Sequence, residues 1–125
     1  MLRACRHLLR PGGTIAYTTI VAAPGLDRPQ QREAIRVGPP AVEATAPNDV
    51  LMEKAGFVDV SITDVTSGFL DTARAWLREF ERHETDVKAI LGEESWADRQ
   101  ASRASIASGI ENGLLRRSLV SGRVH

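Results

Sequence analysis

The chain has 125 residues, a formal net charge of zero and 42% hydrophobic residues, which suits one modest domain with a single core. Balanced charge without a block of like charges argues against nucleic acid as a main partner, because phosphate binding needs a concentrated positive field. No apolar run approaches the roughly 18 residues of a membrane span, so we expect no membrane partner. The lone Cys5 excludes an internal disulfide and favours a cytoplasmic location.

The first segment predicts the end of a helix, a turn and a buried strand. Apolar residues recur at helical spacing over residues 1–10, and Pro11 followed by two glycines ends that pattern. Residues 14–21 follow at once, rich in β-branched side chains and with little polar alternation. That composition is typical of a strand buried on both faces, as in a parallel sheet.

Residues 22–47 are the most irregular part of the chain. Asp27 is a suitable cap for a short helix that carries Pro29 in its first turn and runs to about Val37. The segment leaves the carboxyl end of a strand, where ligands sit in open α/β sheets. It is therefore either a pocket wall or a solvent-exposed connection, and the sequence leaves both open.

A second helix–strand pair follows. Asn48 is expected to cap a helix over residues 49–55, which Gly56 closes. Residues 57–64 then alternate between apolar and polar side chains. Alternation with a period of two predicts a half-exposed strand at the edge of a sheet.

A long helical excursion is predicted next. Thr66 is expected to cap a helix from about residue 67 to 91, with a polar break near residues 81–86, and a second helix covers about 93–112. Trp76, Phe80 and Trp96 are interpreted as core residues, because buried aromatic side chains usually supply packing. The alternative is that these helices form part of a lid over the strand ends.

The last segment, residues 114–124, predicts a final strand. Arg116 and Arg117 are adjacent in it and must therefore point to opposite faces of the sheet. We expect one of them to pair with Asp59 or Asp64 on a neighbouring strand.

Several of these segments resemble class I S-adenosylmethionine-dependent methyltransferases. The run Leu8-Leu9-Arg10-Pro11-Gly12-Gly13 before a strand resembles the turn into strand five of that family. Gly38-Pro39-Pro40 followed by Leu51–Phe57 resembles the helix and Ala-Gly-Phe turn before strand six. Asp64-Val65-Thr66 resembles the end of strand six, and Gly113–Val120 resembles the final antiparallel strand.

The resemblance implies an α/β fold: the carboxyl-terminal part of a Rossmann-like methyltransferase fold. It implies a three-strand mixed sheet, in the order five, seven, six, with helices. Residues 1–125 would form one partial methyltransferase domain carrying a helical insertion at about 66–112. In the resembled family the cofactor site is built by strands one to four, which are not recognised in this chain.

Motifs for chemistry are sparse. No Gly-x-Gly-x-x-Gly is present, and the glycines at 12–13 precede a late strand. We therefore assign no cofactor-binding residue and no catalytic residue. The histidines and the cysteine lack metal-ligand spacing, so no metal is expected.

Four residues are candidates for a substrate pocket. Thr18, Thr19 and Ile20 lie at the carboxyl end of the first predicted strand, and Arg28 on the loop helix could meet an acidic substrate.

The first functional hypothesis is the substrate-side half of an S-adenosylmethionine-dependent methyltransferase that acts on a small molecule. The intact family uses S-adenosylmethionine, but we expect no cofactor binding and no activity from this chain alone. The alternatives are a non-catalytic module that binds or self-associates through an open sheet edge, and an unproductive gene fragment. An unpaired first strand would promote self-association.

Overall fold

A computed structural model of the chain describes residues 1–43 and 46–125. In chain order, the elements within these residues are α1 Leu2–Leu8, β1 Thr14–Ala22, α2 Arg28–Val37, a 3₁₀ turn Pro40–Glu43, α3 Asn48–Lys54, β2 Phe57–Asp64, α4 Thr66–Arg82, α5 Glu84–Leu91, α6 Glu93–Glu111 and β3 Leu115–Val124.

The last strand lies between the other two. β3 pairs antiparallel with β1 and with β2, so β1 and β2 run in the same direction and end at the same edge of the sheet. Val120 on β3 lies opposite Tyr17 on one side and Ile62 on the other. The order β1-β3-β2 confirms the predicted order of strands five, seven and six and the edge position of the alternating strand. The three described strands form an antiparallel sheet rather than the mixed sheet expected, because β3 is antiparallel to both neighbours.

A bulge interrupts the pairing of β2. The register shifts between Val58 and Ser61, and Asp59 within it adopts a φ of 51°. Its carboxylate accepts a hydrogen bond from the Arg123 guanidinium, with an Nη2···Oδ2 distance of 2.6 Å. Bulges and charged side chains of this kind discourage further pairing at an edge strand.

One core lies beneath α1 and α3. Met52 and Val120 are fully buried there and Phe57 nearly so, and Ile15 and Tyr17 of β1 pack against them. Tertiary packing of this apolar layer compensates for the shortness of both helices, since isolated helices of seven residues are not stable in water.

A second core lies on the opposite face of the sheet. Leu115 is five residues from Val120 along β3 and therefore points the other way. It packs with Ala34 of α2 and Ile110 of α6. A Cβ on Gly109 would lie 2.7 Å from the Leu115 side chain, so the glycine lets α6 approach the strand closely.

Strand β1 departs from expectation. Its sequence predicts burial on both faces, yet no residue of Thr14–Ala22 is fully buried. The expectation is wrong for two reasons within the described residues. The outer edge of β1 has no strand partner, and the side chains of Thr14, Ala16 and Thr18 are exposed on the face opposite α1 and α3.

Two of the expected helix caps are also wrong. The sequence predicts Asn48 as the cap of α3, but it is the first residue of that helix. Its side chain accepts a hydrogen bond from Tyr17 rather than from the helix. Thr66 is the first residue of α4, and its backbone N–H donates to Asp64 Oδ1 at 2.9 Å. By contrast, the Asp27 cap is confirmed: its carboxylate accepts from the Gln30 N–H, and the Gln30 side chain accepts from the Asp27 N–H.

The long helix expected from residue 67 to 91 is two helices, divided at His83 within the polar stretch. Trp76 is 51% exposed, so its assignment to the core is wrong, whereas Phe80 and Trp96 are half-buried. The Trp76 ring meets Phe69 edge-on at 6.4 Å between centroids. None of the described helices is long and apolar enough to cross a membrane.

The burial pattern predicts a contrast between two substitutions. Met52→Ala should lower the free energy of unfolding by about 2–5 kcal/mol, because it opens a cavity at a fully buried site. Trp76→Ala should cost about 1 kcal/mol or less, because half of the ring already contacts water. Urea unfolding followed by circular dichroism measures both. Equal losses for the two variants would show that the Trp76 ring is buried in solution.

Candidate functional site

The carboxyl ends of β1 and β2 border a cavity of about 490 Å³ on the α3 side of the sheet. It is mostly apolar, and its described lining consists of Val21, Ala22, Pro24, Val42, Ala46, Pro47, Asn48, Ile62 and Ser118. Small-molecule sites occupy roughly 300–1,000 Å³ and combine apolar walls with a few polar groups. The volume and composition of this cavity fall within that description.

Its polar groups include Asn48 and Ser118. The Tyr17 hydroxyl donates to Asn48 Oδ1 at 2.9 Å, across 31 residues of sequence. Burial raises the pKa of Tyr17 above its ordinary value of 10.0, so the phenol remains neutral at physiological pH. The bond fixes the Asn48 side chain at the cavity and leaves its amide N–H groups without a hydrogen bond to the described residues.

The irregular segment after β1 forms part of the cavity wall. Pro24 and Val42 come from it, and the N–H of Ala23 donates to Leu114 O at 2.9 Å, which ties the loop to the residue before β3. The capping box at Asp27 then begins α2, whose Ala34 packs in the second core with Ile20 and Ala22 of β1 on the other face of the sheet. Of the two interpretations left open by the sequence, the segment therefore has the geometry of a pocket wall.

A second cavity, of about 480 Å³, lies at the same end of the sheet beside α4 and α6. Asp64 and Arg116 line it together with Glu111. Hydrogen bonding to Thr66, and secondarily the Arg116 guanidinium, hold the pKa of the Asp64 carboxyl below its ordinary value of 3.8. Lowering the pKa of a carboxyl makes it a weaker general base near neutral pH.

The predicted pocket residues do not converge. Thr18 is exposed and its Oγ1 accepts from the Arg117 guanidinium at 2.6 Å, whereas Ile20 packs into the second core. Thr19 is half-buried, and Arg28 is exposed in the first turn of α2. The first cavity begins one residue beyond the three strand positions, at Val21, and all four assignments remain predictions.

The two adjacent arginines of β3 have different partners. Arg116 pairs with Asp64 at 3.3 Å between Nη1 and Oδ2, which confirms the expected cross-strand ion pair. The Arg117 guanidinium instead lies 3.9 Å from the centroid of the Phe69 ring. Sequence analysis missed this contact because Phe69 lies 48 positions away and follows no local pattern.

The glycine pair at 12–13 lies far from the two cavities. The glycines at 12–13 lie at the amino end of β1, where Gly12 N–H donates to Val124 O at 2.9 Å, opposite to the edge that carries the cavities. No carboxylate lines the first cavity within its described wall. Asp64 in the second cavity is already engaged by Thr66 and Arg116. Over the described ranges, no group of three or more His, Cys, Asp or Glu residues is placed to hold a metal ion.

The bond between Tyr17 and Asn48 predicts an alkaline dependence of stability. Because the pKa of Tyr17 is raised in the folded state, its stabilising contribution is present below the unfolded value of about 10 and is lost as pH rises beyond it. Tyr17→Phe should lower the free energy of unfolding by about 1 kcal/mol at neutral pH and flatten its fall above pH ~10.

Denaturant unfolding of both proteins at a series of pH values tests this. Tyr17 is the only tyrosine, so phenolate absorbance reports its titration directly. An identical alkaline slope in the Tyr17→Phe variant would contradict the prediction.

Solved structures share this architecture. Phosphoethanolamine N-methyltransferase 2 of Haemonchus contortus, solved with phosphomonomethylethanolamine and S-adenosylhomocysteine, superposes with a TM-score of 0.71 at 14% identity, over 98% of this chain and 29% of that chain. A protein assigned as a sarcosine dimethylglycine methyltransferase from Galdieria sulphuraria gives 0.73 at 14% identity, over 98% and 45%. The cyclopropane synthase MmaA2 of Mycobacterium tuberculosis gives 0.65 at 16% identity, over 98% and 48%.

The chain thus spans less than half the length of each of these proteins. No protein-family model matches it, and no curated protein matches its sequence. At such low identity the likeness concerns the fold alone. The resemblance drawn from the sequence is confirmed at that level: the chain has the fold of the carboxyl-terminal part of S-adenosylmethionine-dependent methyltransferases.

Proposed function

We propose that this chain is the substrate-side half of an S-adenosylmethionine-dependent methyltransferase acting on a small molecule. The observation that carries the proposal is the order β1-β3-β2, with the outer edge of β1 unpaired within the described residues. The solved methyltransferases that share this fold are more than twice as long as the part that this chain matches. The cofactor-binding strands would extend the sheet from β1, and without them the chain would be inactive.

The acceptor side is proposed to lie at the carboxyl ends of β1 and β2. The first cavity offers an apolar space with Asn48 and Ser118 as polar groups, and the segment after β1 forms part of its wall. The helices from Thr66 to Glu111 would form the cover of the partial domain. Thr18, Thr19, Ile20 and Arg28 remain the candidate pocket residues, and a cytoplasmic location remains an expectation.

The proposed chemistry is positioning. Methyl transfer requires the acceptor atom to lie in line with the methyl group of the sulfonium, and correct placement alone supplies a large part of a rate enhancement. Asp64 is held ionised by Thr66 and Arg116 and is a weak base. The chain's role would therefore be to hold the acceptor and exclude water.

Isothermal calorimetry with S-adenosylmethionine tests the division into halves. The 125-residue chain should give no measurable heat of binding, because its sequence has no Gly-x-Gly-x-x-Gly turn to receive the cofactor. Micromolar affinity for the chain alone would contradict this division.

The positive arm of the test uses a longer protein. If the coding region before Met1 continues in frame with a strand followed by Gly-x-Gly, the longer protein should bind S-adenosylmethionine and transfer its labelled methyl group to a small acceptor. A longer protein that contains those strands and binds no cofactor would overturn the proposal.

A second candidate function is a non-catalytic module that self-associates through β1. Its support is that the nine residues of β1 contain no charge, proline or bulge, and their register with β3 is unbroken. Natural edge strands usually carry such features to prevent pairing with other chains. β2, at the other edge, carries a bulge and an ion pair.

Sedimentation velocity tests the β1 edge. The chain should form dimers or larger species, and Ala16→Lys should shift it toward monomer, because the new charge lies on an exposed position of the open strand. Ala101→Lys places the same charge on an exposed position of α6 and is the matched control. A parent chain that is a monodisperse monomer and unfolds cooperatively would exclude this function.

A further inference from the structure

We propose that Arg117 binds the anionic group of a small molecule, a carboxylate or a phosphate monoester, on the open face of the sheet beside β1. This face is opposite to the first cavity, because Ser118 lines that cavity and the adjacent Arg117 points to the other side of β3. The anion site is therefore independent of the proposed acceptor pocket. The anion site itself is argued from the geometry around the guanidinium.

Arginines on the same strand provide the first argument. Arg116 is neutralised by Asp64 at 3.3 Å, and Arg123 by Asp59 at 2.6 Å. Among the residues that the structure describes, Arg117 has no carboxylate within 4.0 Å, although it is half-buried. Strand β3 therefore carries a cation that no described carboxylate compensates.

The second argument is that this cation is held in place. The Arg117 backbone N–H donates to Thr66 Oγ1 at 3.0 Å, and its carbonyl accepts from the Val65 N–H at 2.9 Å. The guanidinium stacks on Phe69 at 3.9 Å and donates to Thr18 Oγ1 at 2.6 Å. Stacking and a fixed hydrogen bond already order the Arg117 side chain, so it would lose less conformational entropy when a ligand binds.

The third argument concerns unused donors and space. A guanidinium has five N–H donors in a planar fork, and only the one to Thr18 has a partner among the described side chains. The fork matches two oxygens of a carboxylate or phosphate. Nearby Leu119 is 37% exposed and Ala16 is exposed, so the face beside the guanidinium is open and carries no competing charge at these positions.

The test is a titration of the ¹⁵N-labelled chain by NMR, with inorganic phosphate and separately with sarcosine as the carboxylate probe. Chloride replaces each probe in a control series at equal ionic strength. We expect saturable shifts of the Arg117 side-chain N–H and of the Thr18 and Phe69 amides with at least one probe, with a midpoint on the order of 1 mM. The two probes distinguish a phosphate ligand from a carboxylate ligand.

Variants give the decisive comparison. Arg117→Gln should weaken binding about tenfold, and Arg117→Lys should retain part of it because the charge remains without the fork. Arg116→Gln is the matched control, since it removes an adjacent arginine that already has an acidic partner, and it should leave binding unchanged. The amide spectrum of each variant verifies that it is folded.

The proposal would be overturned if neither probe gave shifts, if the shifts followed ionic strength alone, or if Arg116→Gln weakened binding equally. Arg117 shifts that depend on protein concentration without added anion would also overturn it. Such shifts would assign the guanidinium to an acidic residue of a second copy. A saturable site in a longer protein that transfers no methyl group would keep the anion site and remove the methyltransferase function. A longer protein that transfers a methyl group but shows no anion-dependent shifts would remove the anion site and keep the methyltransferase function.

Discussion

The antiparallel strand β3 is the element on which the rest of this structure depends. β1 and β2 are not paired with each other, and each is held by hydrogen bonds to β3. The two cores form on its two faces, one around Val120 and the other around Leu115. Gly122 shows how tightly the strand is covered, because a Cβ there would lie 2.5 Å from Met52 Cε. The last ten residues of the fold thus unite segments that are distant in sequence.

The two edges of the sheet differ in character. β2 is closed to further pairing by a bulge at Asp59 and the ion pair of that residue with Arg123. β1 is regular and uncharged, with its edge open in the described structure. An edge strand without protective features can pair with a further strand. This asymmetry supports both the proposed half-enzyme and the alternative of self-association.

The junction of β2, α4 and β3 connects the sheet to the helical cover. Thr66 takes part in it through its backbone, which donates to Asp64, and its hydroxyl, which accepts from the Arg117 N–H. The first turn of α4 also supplies Phe69, on which the Arg117 guanidinium rests. Polar contacts therefore fix the position of the helices at the end of the sheet where ligands of α/β proteins bind.

Local patterns in the sequence determined the elements and several of their ends. The sequence alone revealed the turn at 11–13, the Asp27 cap and the alternation of residues 57–64. These signals act between neighbours within a few positions. The order of the strands came from the family resemblance rather than from these patterns, since no local signal encodes which strand pairs with which.

Only the tertiary structure decided which side chains meet and which remain exposed. Asn48 bonds to Tyr17 instead of capping its helix, Trp76 lies half in water, and adjacent Arg116 and Arg117 have entirely different partners. The candidate site depends on these long-range contacts, because a cavity wall or an uncompensated charge is a property of segments brought together from far apart. Periodicity and capping patterns extend over a few residues and therefore carry no information about such contacts.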